Sequence, residues 1–251
     1  MLNTQAYTRL SAALPKLTAE DVIDMGPVLV KIIPELKPTL GFDQHSPHHK
    51  YDLFTHIAHV VGNVPPDLTV RWAALLHDVG KIPTFARDET GRGHFKNHAA
   101  VGADMADTVL RRLGAPEALR EEAVILIRLH MTRLEPEQLP ELAANLGWDT
   151  VSRLLSLQEA DMGSKGTGNP EEMGIFSKIR EVLEEIRAEN ACLTLKDLAV
   201  NGYDLQALGL TGRAIGQCLN ILLEKVLEEE LPNEREALLA FVKTWNSGGR
   251  K

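Results

Sequence analysis

Hydrophobic positions recur along this chain at intervals of three and four, the spacing that lines one face of a helix. Ile175, Phe176, Ile179, Val182, Leu183 and Ile186 follow it. So do Ile215, Leu219, Leu222, Leu223, Val226 and Leu227, with glutamates and Lys225 on the opposite face. Alternating β-branched runs bounded by tight turns are almost absent, so strands contribute little. Proline and glycine supply the punctuation: Pro65-Pro66 opens the helix leading to His77, and Gly114 closes the helix that starts near His98. The expected fold is all-α.

Three zones separate along the chain. Residues 1–50 hold short helices and the polar loop Asp43-Gln44-His45-Ser46-Pro47-His48-His49. Residues 51–165 hold the candidate ligands described below. Residues 171–251 form a helical tail without any histidine, beyond a linker or lid, Gly163-Ser164-Lys165-Gly166-Thr167-Gly168-Asn169-Pro170.

At 251 residues the chain is long enough to bury a substantial core. No run approaches the roughly 18 consecutive apolar residues of a membrane span. The start, Met1-Leu2-Asn3-Thr4-Gln5, has neither the basic region nor the apolar block of a secretory signal. Cys192 and Cys218, the two cysteines, show no C-x-x-C spacing, which argues against a disulfide scaffold or a cysteine-based zinc site. A cytoplasmic location is expected. Net charge is −8, from 27 basic and 35 acidic residues, which disfavours a long nucleic acid as partner. Arg111, Arg112, Arg120, Arg128 and Arg133 read as solvated helix faces rather than a phosphate-binding patch.

The adjacent pair His77-Asp78 carries the chemistry. It follows the apolar run Ala73-Ala74-Leu75-Leu76, so it is not placed as a surface pair. Burying an unpartnered polar group costs on the order of 2–7 kcal/mol, and a charge costs more. A divalent cation removes that cost, because imidazole and carboxylate are both ligands of first-row metals. His56, in a helix upstream, and Asp161, at the end of a helix downstream, supply two further ligands; His59 competes with His56 for the inward face. His98 and His130, each at a helix end, make room for a second ion with Asp78 as the bridge. Gly80 then allows a helix end, and Lys81 brings a positive charge that can meet an anion. Lys81 serves equally well as a helix cap.

The stretch from about residue 42 to 165 resembles the HD superfamily of metal-dependent phosphohydrolases, and more narrowly the HD-bearing region of bacterial CCA-adding tRNA nucleotidyltransferases. The matching words are Gly41-Phe42-Asp43-Gln44, His49-Lys50-Tyr51-Asp52 with Thr55-His56, and Arg71-Trp72-Ala73-Ala74-Leu75-Leu76-His77-Asp78-Val79-Gly80-Lys81. His94-Phe95, His98, Gly102-Ala103 and Ala160-Asp161 follow, and the tail matches through Asp197–Leu205, Gly212, Gly216 and Asn233. The resemblance implies an HD-domain helical bundle with a C-terminal helical tail. The strand-rich nucleotidyltransferase head of that family, with its D-x-D motif, has no counterpart here, so nucleotidyltransferase activity is not expected of the chain alone. It would work alone or beside a separately encoded partner.

The expected activity is hydrolysis of a nucleotide-like phosphomonoester or phosphodiester, for example a 2′,3′-cyclic phosphate. Metal coordination lowers the pKa of water from 15.7 to roughly 7 and so provides a hydroxide nucleophile. Asp78 would hold metal and orient the nucleophile, and Lys81 would contact phosphate, with His94, His49 or Arg87 assisting. The ligands alone do not select among Mn, Fe, Ni, Zn and Mg, nor between one ion and two. Two other readings stay open: a di-iron oxygenase of the HD type, and a non-catalytic module that binds tRNA or a protein partner. The tail, residues 190–246, is the candidate surface for such contact, although its aliphatic stripes are first of all core.

Overall fold

A computed structural model of the protein describes residues 2–47, 49–166, 170–188, 194–228 and 230–248. His48, Cys192 and residues 167–169 of the expected linker or lid lie outside the described residues. Helices dominate, as the hydrophobic spacing requires. In chain order they are α1 (Leu2–Ala13), α2 (Ala19–Asp24), α3 (Gly26–Ile32), α4 (Leu53–Asn63), α5 (Leu68–Leu76) and α6 (Lys81–Thr84). A two-stranded antiparallel hairpin follows, β1 (Phe85–Arg87) and β2 (Gly93–Phe95), with Ala86 opposite His94. Then come α7 (His98–Leu113), α8 (Glu117–Leu129), α9 (Leu139–Leu146), α10 (Trp148–Gly163) and α11 (Pro170–Ala188). The last three are α12 (Gly202–Ala207), α13 (Arg213–Leu227) and α14 (Arg235–Gly248).

The chain divides into two compact units, residues 1–133 with 152–178, and residues 134–151 with 179–251. Residues 1–50 thus share a unit with the helices that carry the candidate ligands.

In the first unit the helices α4 and α5 are each started by a side chain. Asp52 caps α4 by accepting from the Phe54 and Thr55 amides, and Asp67 caps α5 by accepting from the Val70 amide at 3.1 Å. The second oxygen of Asp67 receives the Arg153 Nε at 3.0 Å, so the start of α5 is tied to α10. Gly114, at φ 79, ends α7 in the left-handed conformation that glycine adopts at little cost. Leu75, Leu76, Val109, Leu110, Leu126 and Ile127 are fully buried and form the core on which α5, α7 and α8 meet. Trp72, also fully buried, stacks on Tyr7 and donates its indole N–H to Ser11 Oγ at 3.0 Å, so α1 covers α5.

The second unit has its own core. The stripe expected from Ile215 to Leu227 buries Leu222 and Leu223 beside Cys218, Leu205, Leu238 and Val242. Leu222→Ala should cost that unit about 2–5 kcal/mol, because its side chain is fully enclosed. Denaturant unfolding followed by far-ultraviolet circular dichroism checks this; an unchanged midpoint would count against the packing described.

Candidate metal centre

The ligand-bearing side chains sit at or near the ends of five helices. His56 lies in the second turn of α4 and Asp161 in the last turn of α10. His77 ends α5, His130 ends α8, and His98 begins α7. Asp78 follows His77 in the turn before α6. All are buried except His98, which is nearly so.

Gly80 makes this junction, and not by ending a helix in the left-handed conformation: its φ is −69°. A Cβ there would lie 2.2 Å from the His98 carbonyl oxygen and 2.5 Å from the Gly102 nitrogen. Its missing side chain lets the His77-Asp78 turn rest on the first turn of α7, which brings His98 to Asp78.

Backbone carbonyls fix the four imidazoles. His77 Nδ1 is 2.8 Å from Ala74 O, His98 Nδ1 2.8 Å from Phe95 O, and His130 Nδ1 2.6 Å from Ile127 O. His56 Nδ1 is 3.2 Å from Ser164 O, 108 residues away in the chain. A carbonyl only accepts, so each Nδ1 carries a hydrogen and each ring turns its Nε2 inward. These four Nε2 atoms are buried, and among the described residues none has a hydrogen-bond partner. Fixing the ring through its other nitrogen is how proteins orient imidazole towards metals.

The inward atoms fall into two groups around one carboxylate. His56 Nε2 lies 3.0 Å from Asp161 Oδ1 and 3.4 Å from Asp78 Oδ2, and His77 Nε2 lies 3.2 Å from the same Asp78 oxygen. On the other side, Asp78 Oδ1 is 3.6 Å from His98 Nε2 and 4.0 Å from His130 Nε2. His56, His77 and Asp161 offer one set of donor atoms within 4.8 Å of one another, and Asp78, His98 and His130 offer a second. Imidazole nitrogens and carboxylate oxygens at this spacing, otherwise orphaned, fit a divalent cation.

The electrostatics point the same way. Burial works against charge on His56, but the Asp161 and Asp78 carboxylates outweigh it and push the imidazole up to about 9. Burial also disfavours charge on the two carboxyls. It is overcome at Asp161 by His56 and at Asp78 by His77 and Lys81, and both stay well below the usual carboxylate range. Burial, reinforced by His77, pushes His130 down to about 4, and burial lowers His98 as well. Both rings are therefore neutral near pH 7, the form that donates a lone pair. Two ionised carboxylates held away from water call for positive charge between them, which a proton on His56 supplies in part and a divalent ion supplies fully.

The remaining candidates are placed differently. Lys81 opens α6 instead of capping a helix end; it is buried, with Nζ 2.8 Å from Asp78 Oδ2 and 2.9 Å from Gln44 Oε1. His49 meets the His56 ring edge-on at 5.5 Å, and burial drives its pKa down to about 3. His94 stands apart: it is exposed on β2 and paired with Asp88 at 2.6 Å. His59 stacks against Tyr51, with ring centres 4.5 Å apart. Arg87 lies over Phe85 and contacts His45 on the exposed hairpin. Ser164 was not among the residues the sequence singled out, and Gln44 entered only within the matching word Gly41-Phe42-Asp43-Gln44, with no role given to it; both lie in stretches read as loops. The arginines Arg111, Arg112, Arg120 and Arg128 are each paired with a carboxylate.

Residues 52–179 match the HD domain family, and residues 171–242 match tRNA nucleotidyltransferase domain 2 (putative). The chain is 33% identical over 222 residues to the A-adding tRNA nucleotidyltransferase of Deinococcus radiodurans, covering 85% of this chain and 51% of that protein. It is 31% identical over 224 residues to the CC-adding tRNA nucleotidyltransferase of Thermus thermophilus, covering 86% and 50%. A shorter match, 39% over 106 residues, joins it to the Multifunctional CCA protein of Aromatoleum aromaticum. The chain spans about half the length of the first two relatives. Among the described residues no helix is long and apolar enough to cross a membrane. The bundle, the paired His/Asp groups and the match over 52–179 together place the chain in the HD domain family of metal-dependent hydrolases, homologous to the HD and C-terminal region of CCA-adding enzymes.

Proposed function

We propose that His56, His77, Asp78 and Asp161, with His98 and His130 on the far side of Asp78, hold one or two divalent ions and hydrolyse a nucleotide-like phosphoester. One observation carries this reading: four carbonyl-fixed imidazoles turn buried, partnerless Nε2 atoms towards two buried carboxylates. A divalent ion bound there supplies charge neutralisation and a water acidic enough to lose its proton near neutrality.

The protein's own groups do the rest. The carbonyls of Ala74, Phe95, Ile127 and Ser164 hold the rings in a single tautomer, so nothing has to reorient when ligand arrives. Asp78 presents one oxygen to each half of the centre. Lys81, buried beside it, places an ammonium where the equatorial oxygens of a phosphoryl group need one. Phosphoryl transfer asks mainly for positioning and charge stabilisation, and this constellation provides both.

Elemental analysis of the purified protein combined with a metal-by-substrate screen tests the reading. Nucleoside 2′,3′-cyclic phosphates, nucleoside monophosphates and triphosphates, and bis(p-nitrophenyl) phosphate head the substrate set. Hydrolysis should appear with added divalent ions and vanish on chelation. Thermal unfolding should also shift, since an ion at 100 times its Kd stabilises by about 2.7 kcal/mol. Iron-loaded protein that consumes oxygen with a cosubstrate, and cleaves no phosphoester, would overturn the hydrolase in favour of an oxygenase.

The match of residues 171–242 to a tRNA nucleotidyltransferase domain favours a second role, contact with tRNA. If truncation after residue 170 abolishes tRNA binding while Asp78→Ala leaves it intact, the tail is the binding element.

A further inference from the structure

Gln44 is 1% exposed, and its amide has an acceptor with a partner and a donor without one. Oε1 accepts from the Lys81 ammonium at 2.9 Å. Lys81 can only donate, so this contact fixes which end of the amide is oxygen and turns Nε2 the other way. Nε2 is buried, and among the described residues it has no hydrogen-bond partner. Leaving such a donor unsatisfied carries a desolvation penalty, and native proteins rarely accept it where no ligand is expected.

The fold goes to some length to put Gln44 there. Its backbone is pinned under the β1–β2 hairpin: Gly93 N donates to His45 O at 2.9 Å, and a Cβ on Gly93 would lie 2.3 Å from the Gln44 backbone carbonyl oxygen. Phe42, two residues earlier, packs edge-on against Phe85, ring centres 5.1 Å apart, and the Lys81 ammonium lies 5.4 Å over Phe95. Loop, hairpin and α6 therefore hold one amide in one orientation. Its Oε1 shares the Lys81 ammonium with Asp78 Oδ2, so the amide stands one side chain away from the carboxylate in the middle of the metal centre. A neutral donor beside an ammonium and next to a cation site suits an anionic oxygen.

We propose that Gln44 binds ligand at this centre: Nε2 donates to a non-bridging phosphoryl oxygen, while Oε1 holds the Lys81 ammonium to share the same anionic group. The proposal rests on the phosphoester reading of the metal centre and adds to it the residue that receives the phosphoryl group.

The test uses the full chain loaded with Mn, inorganic phosphate as probe, and isothermal titration calorimetry, with metal content measured in parallel. Gln44→Met keeps the volume and removes both the donor and the oxygen that holds Lys81. Gln44→Glu keeps the oxygen that accepts from Lys81 and replaces the donor with negative charge. Loss of one hydrogen bond to a charged group should weaken phosphate about 10- to 100-fold in Gln44→Met. The weakening should be greater still in Gln44→Glu, at unchanged metal content in both. Wild-type affinity for phosphate in either folded variant overturns the proposal. So does loss of metal in both variants, because Gln44 would then act on the centre and not on the ligand. Wild-type protein that binds no phosphate overturns it too. If wild type binds phosphate through Gln44 yet cleaves no phosphoester, the hydrolase reading falls and the subsite stands.

Discussion

Asp78→Ala should empty both halves of the centre at once and lower kcat/KM for phosphoester hydrolysis by more than about 100-fold. Removing a residue that merely orients a metal ligand typically costs 10- to 100-fold, and Asp78 is the carboxylate on which both donor sets converge. Its Oδ2 faces His56 and His77, and its Oδ1 faces His98 and His130, so among the described residues no other single side chain serves both. A second consequence follows from Lys81. Its ammonium is buried and lies 2.8 Å from Asp78, and removing one partner of a buried pair costs about 3–5 kcal/mol. Metal-free Asp78→Ala should therefore unfold at lower temperature than metal-free wild type. Asp78→Asn, which keeps the volume, separates shape from charge. Metal content by elemental analysis is the deciding measurement: retention of the wild-type amount by Asp78→Ala would falsify the bridging assignment.

Gly80→Ala is the other change with a large expected effect, though it removes nothing. The added methyl would overlap backbone: the His98 carbonyl oxygen at 2.2 Å and the Gly102 nitrogen and Cα at 2.5 and 2.8 Å. Backbone cannot swing aside as a flexible side chain can, so the turn and α7 must separate. Overpacking typically costs about 1–3 kcal/mol, and contact with main chain puts this site at the upper end. The same separation draws His98 away from Asp78, so the His98–His130 side of the centre should weaken before the His56–His77 side. Gly216→Ala is the control. It lies within α13, exposed, with no neighbour within 4 Å of the added carbon, and alanine favours helix by up to about 1 kcal/mol. Denaturant midpoints should move down for Gly80→Ala and slightly up for Gly216→Ala. Equal midpoints would show that the close approach of Gly80 to α7 carries no strain.

Much of this molecule is written locally. Helical spacing is set by neighbours three and four residues apart, so α4, α5, α7, α8, α10 and α13 can be read from their apolar positions. The caps are equally local: Asp67 three residues before Val70, Gly114 after the Arg111-Arg112 turn. The pair His77-Asp78 after an apolar run, and single histidines or aspartates at other helix ends, could be read the same way, because burial of a polar group is conspicuous in one dimension. The hairpin Phe85–Phe95 was missed because each strand is three residues long, too short to show alternation.

What the sequence determined by itself is therefore the helical class, the phase of the most strongly periodic helices and the inventory of imidazole and carboxylate groups near helix ends. Tertiary structure alone decided which of these groups meet, and the distances along the chain explain why. His56 is fixed by Ser164, 108 residues away; Lys81 is held by Gln44, 37 residues away; Gly80 is dictated by a contact with α7. His94 shares its residue type with His98 only four positions on, yet one is exposed with Asp88 and the other faces Asp78. Periodicity reports the environment of a residue averaged over its own turn. The partner that satisfies a buried donor is chosen by where distant segments cross, and that information first exists when the chain is folded.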